Sequence, residues 1–159
     1  MTALETREAV LHLLEDKAMT ITFAESCTGG LLAASLVEIP AASSVFAESY
    51  VTYANESKMR LLGVSPDTLA SHGAVSVETA AEMAEGAAER AGADVAVSVS
   101  GIAGPSGGSE EKPVGTVAFG FKVGKRLETR LMHFGALGRR AVREAAVDYA
   151  FETLLSLLS

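Results

Sequence analysis

Two short apolar segments, each followed at once by a glycine-rich stretch, constrain the fold of this chain most strongly. ITFA (21–24) and DVAVSVS (94–100) have too few polar residues for strands with one face in water, so both are predicted to be buried strands. Helical patterns lie between them, and two adjacent strand patterns, TVAFGFKV and LETRLMHF, follow late in the chain. This order predicts an α/β fold: a single three-layer α/β/α domain around a mixed β-sheet.

The other elements are predicted from apolar spacing and from capping residues. Helices are expected over residues 3–17, over 29–39 before Pro40, and from about 139 to 158. VFAESYVTYA (45–54) is rich in β-branched and aromatic residues and is predicted to form one strand or two short ones.

Two further helices are predicted to start at polar caps. Asn55 is expected to cap a helix over NESKMRLL that ends at Gly63. Ser76 is expected to cap an Ala-rich helix that ends at Gly92. That Ala-rich helix has two possible packing partners, the sheet or a second subunit.

Composition and charge exclude several function classes. The 159 residues are 48% apolar and 21% charged, which is typical of one globular domain. A net charge of −7 argues against a broad nucleic-acid surface but leaves room for a small anionic ligand. The single cysteine, Cys27, excludes an internal disulfide and a cysteine-based zinc site. No apolar run reaches the roughly 20 residues of a membrane span, so we expect a cytoplasmic protein with no membrane partner.

The glycine-rich segments after the two buried strands are the expected location of a ligand site, because ligands gather at strand ends in such sheets. The loop 101–115 is long enough to be functional rather than a plain connection. The turn AESCTGG (24–30) has two interpretations. Ser26 or Thr28 caps the following helix. Alternatively, unpaired N–H groups at the helix start stabilise an oxyanion beside a serine nucleophile, and Gly29 and Gly30 let a substrate approach.

A serine nucleophile needs a base, and lysine is a better candidate here than histidine. His12, His72 and His133 have no metal-ligand spacing and no obvious carboxylate partner. In YANESK (53–58), Lys58 is predicted to lie in the first turn of a helix, where burial and the positive helix end would lower its pKa. The alternative is an ordinary exposed lysine.

Two other motifs are weaker candidates. Ser109 and Lys112 form an SxxK pattern, but the glycines before it and Pro113 after it make the required helix unfavourable. Cys27 has no histidine or aspartate near it in the sequence, so we expect a bystander thiol rather than a nucleophile.

Several motifs together resemble the CinA C-terminal domain family. They are AESCTGG, VTYANESK followed by LLGV, HGAVS, and SVSGIAGPSGGSEEKPVGTV. The resemblance runs over nearly the whole chain, so residues 1–159 are identified as one CinA C-terminal-like amidohydrolase domain. Stand-alone members of the family act as nicotinamide-nucleotide amidases. The resemblance therefore implies hydrolysis of nicotinamide mononucleotide (NMN) to nicotinic acid mononucleotide and ammonia, in pyridine-nucleotide salvage, without metal or cofactor.

The resemblance also implies roles for individual residues. The family's serine, tyrosine and lysine fall on Ser26, Tyr53 and Lys58, with Lys58 as base and Tyr53 orienting it or relaying a proton. The arginine of the last motif falls on Arg139, although the local sequence leaves Arg140 open as the residue that binds phosphate. The oxyanion and substrate-binding set is Cys27, Thr28, Gly29, Gly30, Ser100, Gly101, Gly104, Arg139 and Arg140. The family also favours a homo-oligomer.

Two alternative functions stay open at this point. One is a ligand-binding module in a competence or DNA-damage assembly, and the other is an amidohydrolase that acts on a different small amide. Because a pure binding module has no need of Ser26, Tyr53 and Lys58 together, their presence favours an enzyme.

Overall fold

A five-stranded mixed sheet with helices on both faces forms the domain, which confirms the predicted three-layer α/β/α class. The structure, a computed structural model, describes residues 1–159. The sheet order is β2-β1-β3-β4-β5, in which β1 is parallel to β2 and β3, while β4 is antiparallel to both β3 and β5. The strands are β1 (Ile21–Glu25), β2 (Tyr50–Val51), β3 (Val95–Gly101), β4 (Thr116–Val123) and β5 (Arg126–His133).

Six α-helices cover the two faces of this sheet. They are α1 (Ala3–Asp16), α2 (Leu31–Val37), α3 (Asn55–Leu62), α4 (Pro66–His72), α5 (Val77–Ala91) and α6 (Arg139–Leu158). Helices α1, α2 and α6 pack together on one face, and α5, joined by α3 and α4, covers the other. None of the helices combines the length and apolar character needed to cross a bilayer.

The two faces of the sheet differ in the size of their side chains. Alternate residues of a strand point to opposite faces. Large side chains such as Phe23, Phe119 and Phe151 fill the layer under α1 and α6. The layer under α5 contains small residues such as Ala96, and the Ser98 hydroxyl donates directly to the Ala80 carbonyl of α5. The Ala-rich helix therefore packs on the sheet of its own chain.

The predicted strand over 45–54 is largely wrong. Only Tyr50 and Val51 pair with β1, and Phe46 makes an isolated bridge to Ile21. Between them the Glu48 carbonyl accepts a hydrogen bond from the Thr22 hydroxyl, 2.8 Å away, which replaces a strand-to-strand contact. A side chain thus interrupts the ladder that the β-branched composition favoured.

Two predicted helix starts also need correction. Asn55 does not cap α3: it is the first helical residue, the extended Ala54 precedes it, and no side chain caps this helix. Helix α2 begins at Leu31 instead of at residue 29, because Gly29 and Gly30 both adopt positive φ angles, +57° and +103°. By contrast, Ser76 caps α5 as predicted, and its hydroxyl oxygen accepts the Thr79 N–H.

The strand ends bring the two glycine-rich segments together. Because β1 and β3 are parallel and Glu25 pairs with Val99, their carboxyl ends meet at one edge of the sheet. The Ser26 N–H donates to the Val99 carbonyl, at 2.9 Å, and fixes the turn beside the loop that follows β3.

One test of this packing is Gly86→Ala in α5. Helix propensity alone predicts a gain of about 1 kcal/mol. However, an added Cβ would overlap the Leu62 carbonyl oxygen at the end of α3. We expect a net loss of about 1–3 kcal/mol in the free energy of unfolding, because the overlapped atom belongs to the backbone. Urea denaturation measures this, with the exposed Glu85→Ala in the same helix as control; a stabilised Gly86→Ala would contradict the packing.

Candidate active site

Lys58 is buried in direct contact with Ser26. Its Nζ lies 3.0 Å from the Ser26 Oγ, 2.7 Å from the Thr52 carbonyl oxygen and 3.1 Å from the Tyr53 carbonyl oxygen. The Lys58 residue is 1% exposed and Ser26 8%. The predicted serine–lysine pair is therefore brought together by the fold, and the alternative of an ordinary exposed lysine is wrong.

Burial changes the protonation chemistry of this lysine. Loss of hydration lowers the pKa of Lys58 from its ordinary 10.5 to about 8, and the nearby Cys27 opposes this shift. A neutral amine has two N–H donors and one lone pair. With its donors on the two carbonyl oxygens, the lone pair of neutral Lys58 faces the Ser26 hydroxyl, which is the arrangement a general base requires.

The start of α2 is not free to bind an oxyanion. The Glu25 carboxylate at the end of β1 accepts the backbone N–H groups of Gly30, Leu32 and Ala33 at 2.8–3.2 Å. It also accepts the Thr28 hydroxyl at 2.6 Å. Since those donors are occupied, the predicted oxyanion roles of the Thr28 hydroxyl and the Gly30 N–H do not fit the geometry.

Two backbone N–H groups beside Ser26 have no oxygen partner. The Gly29 N–H donates to the Ser26 carbonyl, whereas the N–H groups of Cys27 and Thr28 donate to no oxygen in the chain. Cys27 lines the cavity beside Ser26, and Thr28 is fully buried behind it. Of these two N–H groups, only that of Cys27 belongs to a residue that lines the cavity, which makes it the candidate donor to a substrate carbonyl.

The Cys27 side chain is unsuited to a nucleophilic role. Burial raises the pKa of its thiol from 9.0 to about 11, so it remains protonated at neutral pH. This supports the interpretation of Cys27 as a bystander thiol.

Tyr53 contributes to the site through two separate groups. Its backbone carbonyl accepts from Lys58, whereas its hydroxyl lies 2.9 Å from Nη2 of Arg139 and contacts neither Ser26 nor Lys58. The ring is on the rim, with the residue 62% exposed. The expectation that the Tyr53 side chain orients Lys58 or relays its proton therefore lacks the necessary contact.

The cavity above Ser26 has a volume of about 260 Å³ and is positively charged. Lys58 and Arg139 line it, and no aspartate or glutamate does, although the chain carries a net charge of −7. Its lining residues are Ser26, Cys27, Tyr53, Lys58, Ala74, Val75, Ser100, Gly101, Ile102, Ala103, Gly104, Ser106, Gly107 and Arg139. An anionic ligand is the one this charge distribution favours.

The predicted site residues divide into two groups. Of the residues expected to bind or react, Ser26, Cys27, Tyr53, Lys58, Ser100, Gly101, Gly104 and Arg139 line the cavity. Thr28, Gly29, Gly30 and Arg140 do not line it. Arg140 is exposed and its Nε lies 2.6 Å from Glu144 of the same helix, so Arg139 is the arginine of this cavity.

Several site features were missed by the sequence reasoning. Ala74 and Val75, from the HGAVS motif between α4 and α5, form one wall, and the Ser100 hydroxyl holds it by donating to the Ala74 carbonyl at 2.8 Å. The motif itself was the available signal. The contacts of Glu25 with the turn could not be predicted from the sequence, because a glutamate that follows ITFA is expected to be a solvent-exposed residue at the end of the strand.

The rival SxxK pair lies outside the cavity, as expected. Ser109 and Lys112 are in the loop after β3, where the Ser109 Oγ accepts the Lys112 N–H and Lys112 Nζ donates to the His72 carbonyl. None of the three histidines lines the cavity.

Comparison with known proteins assigns this chain to a family. The nicotinamide-nucleotide amidohydrolase PncC of Escherichia coli K12 is 50% identical over 149 residues, which cover 92% of this chain and 89% of that protein. A CinA-like protein of Chloroherpeton thalassium is 47% identical over 92% of this chain. The chain spans only 26–37% of the length of this and other long relatives, which are named CinA-like or putative competence-damage inducible proteins.

Comparison with solved structures leads to the same family. The competence/damage inducible protein CihA from Agrobacterium tumefaciens superimposes with a TM-score of 0.96 and 42% identity, covering 99% of this chain and 96% of that one. The family model described as the CinA C-terminal domain matches residues 3–158. On this match, and on the close agreement of fold, the chain belongs to the CinA C-terminal domain family.

Proposed function

We propose that this protein is a nicotinamide-nucleotide amidase that hydrolyses NMN to nicotinic acid mononucleotide and ammonia, a step of pyridine-nucleotide salvage. The observation that carries the proposal is the buried Lys58 Nζ, 3.0 Å from the Ser26 Oγ, at the base of a positively charged cavity. The similarity to the Escherichia coli protein named nicotinamide-nucleotide amidohydrolase supports the choice of substrate.

The reaction begins with proton transfer from Ser26 to neutral Lys58. The Ser26 Oγ attacks the carboxamide carbon of NMN, and the Cys27 N–H donates to the resulting oxyanion. Lys58, now protonated, gives its proton to the departing nitrogen, so ammonia leaves as the C–N bond breaks. A water molecule, deprotonated by Lys58, then cleaves the acyl-enzyme ester, which restores Ser26 and releases the carboxylate product.

Arg139 is the proposed partner of the substrate phosphate. It reaches the cavity from the first residue of α6, where Nη1 donates to the Gly104 carbonyl at 2.8 Å. Residues 103, 104, 106 and 107 line the same cavity, and their backbone N–H groups donate to no oxygen in the chain. Such a run of free N–H groups beside a guanidinium suits an anion.

Removal of either member of the serine–lysine pair tests the reaction. Ser26→Ala and Lys58→Met should each lower kcat for ammonia release from NMN by about 1,000-fold or more, because the nucleophile or its base is lost. The measurement is coupled detection of ammonia, with circular dichroism to verify folding. A folded Ser26→Ala variant that releases ammonia at a near-wild-type rate would contradict the mechanism.

The pH profile of the enzyme tests the protonation state of the base. Because Lys58 acts as the neutral amine and its pKa is lowered to about 8, kcat/KM should rise with pH, reach half of its maximum near pH 8 and level off about one pH unit higher. Lys58→Arg keeps a permanent positive charge and should be inactive from pH 6 to pH 10. A wild-type rate that falls between pH 7 and pH 9 under conditions where the protein stays folded would contradict a lysine base.

The rim residues should affect binding more than chemistry. Tyr53→Phe keeps the carbonyl that holds Lys58 and loses only the contact with Arg139, so we expect a raised KM for NMN and a kcat within about threefold of wild type.

Arg139→Met should abolish the preference for NMN over nicotinamide riboside, which lacks the phosphate. Arg140→Met is the matched control on the same helix, and a loss of that preference in the control alone would reassign the phosphate site.

A further inference from the structure

We propose that Glu25 and Arg143 are positioning residues for the nucleophile, and that they hold the turn at residues 26–30 from opposite sides. We call this segment the nucleophile turn. The inference rests on the proposed function for the role of Ser26. Neither residue lines the cavity, so both would act through the backbone that carries Ser26 and Cys27.

Glu25 holds the N–H side of the nucleophile turn. The residue is 0% exposed, and its two carboxylate oxygens accept the Thr28 hydroxyl and the N–H groups of Gly30, Leu32 and Ala33. Bonds from N–H groups to an ionised carboxylate are shorter and stronger than those between neutral groups. A serine or threonine cap would satisfy only one such donor, whereas this carboxylate fixes the turn and the first helical residues together.

Arg143 holds the C=O side of the same turn. From the second turn of α6, its Nε donates to the Cys27 carbonyl at 3.0 Å and its Nη2 donates to the Thr28 carbonyl at 2.9 Å. These two contacts use the planar fork of the guanidinium, which a lysine cannot reproduce. Because the Cys27 and Thr28 carbonyls are held on the side of α6, the peptide groups between them and Ser26 have little rotational freedom.

The contacts of Glu25 and Arg143 together should keep the nucleophile turn in the geometry that the reaction needs. The reaction needs the Ser26 Oγ to stay 3.0 Å from Lys58 Nζ and Cys27, the proposed oxyanion donor, to keep its place in the cavity wall, and both residues belong to the nucleophile turn. A misplacement of about 1 Å from a mutation away from the chemistry can cost on the order of 100-fold in rate. Loosening either side of the turn should therefore reduce reactivity with little change in substrate binding.

Three variants separate the two sides of the turn. Glu25→Gln keeps the shape of the side chain but turns an NH₂ group toward backbone N–H donors that need an acceptor. Arg143→Met removes both carbonyl contacts and retains much of the apolar stem. Arg143→Lys keeps a cation but has one donor nitrogen in place of the two that Arg143 uses, so it should recover part of the activity that Arg143→Met loses.

Matched controls have the same chemistry elsewhere in the chain. Glu82 is another carboxylate that accepts from a helix start, through the Ser65 N–H and the Thr68 hydroxyl, and none of these three residues lines the cavity. Glu82→Gln thus controls for the loss of a capping carboxylate. Arg140→Met controls for the loss of an arginine near the start of α6, since Arg140 contacts Glu144 only.

The experiment measures kcat and KM for NMN together with the rate at which a fluorophosphonate probe labels Ser26, all on variants verified as folded by circular dichroism. We expect Glu25→Gln and Arg143→Met to lower kcat at least tenfold, to change KM less than threefold, and to slow labelling in parallel. Both controls should stay within twofold of wild type. Arg143→Lys should lie between wild type and Arg143→Met.

The outcomes distinguish this inference from the proposed function. Folded variants with wild-type kcat and labelling rate would overturn the positioning roles, as would equal losses in the two controls. If Glu25→Gln does not fold, the Arg143 variants still test the positioning roles. Arg143 is only half-buried on the surface of α6, so we expect its variants to fold. If the wild type labels at Ser26 but releases no ammonia from NMN, the substrate assignment fails, and the labelling rates alone test the nucleophile turn. A wild type that neither labels nor releases ammonia would overturn both.

Discussion

The burial of Lys58 beside Ser26 is the interaction on which the rest of the site depends. An amine removed from water needs hydrogen-bond acceptors, and two of its three partners are the carbonyls of Thr52 and Tyr53. Those carbonyls are available because β2 ends at Val51 and the last N–H paired with β1 is that of Thr52, which donates to the Glu25 carbonyl at 2.8 Å. The early end of this edge strand thus supplies the two carbonyls that hold the proposed base. The Thr52 hydroxyl, buried without a partner, is a local cost of this arrangement.

The sequence predicted the layers and helices around this site better than the contacts within it. Apolar spacing and caps correctly predicted the layers, the extent of α6 and the start of α5, because those signals are local. The edge strand could not be predicted, since a side chain on β1 replaces its ladder contacts at Glu48. The same limit applies to Glu25. Its backbone N–H partners lie five to eight residues ahead, and the left-handed turn at Gly29 and Gly30 bends these N–H groups back to it.

Helical phase explains why one arginine of α6 reaches the cavity and its neighbour does not. Arg139 and Arg143 are one turn apart and face the sheet end, where one contacts Gly104 and Tyr53 and the other contacts the nucleophile turn. Arg140 is rotated by about 100° and pairs with Glu144 in solvent. The sequence ALGRRAVRE leaves this choice open because it does not fix the first helical residue, on which the phase depends. Helix α6 therefore places Arg139 where the proposed ligand contact is made and Arg143 against the nucleophile turn.

The rim and the floor of the cavity differ in burial, and this difference suits their proposed roles. Ser26 and Lys58 are almost fully buried and held by backbone carbonyls, whereas Tyr53 and Arg139 meet at the exposed mouth. A guanidinium has five N–H donors, and Arg139 uses one toward Gly104 and one toward Tyr53. Three donors remain for an anion without breaking either contact. Substrate can thus be recognised at the rim by groups already in place, while the reacting pair below stays fixed, which is the preorganisation that electrostatic catalysis requires.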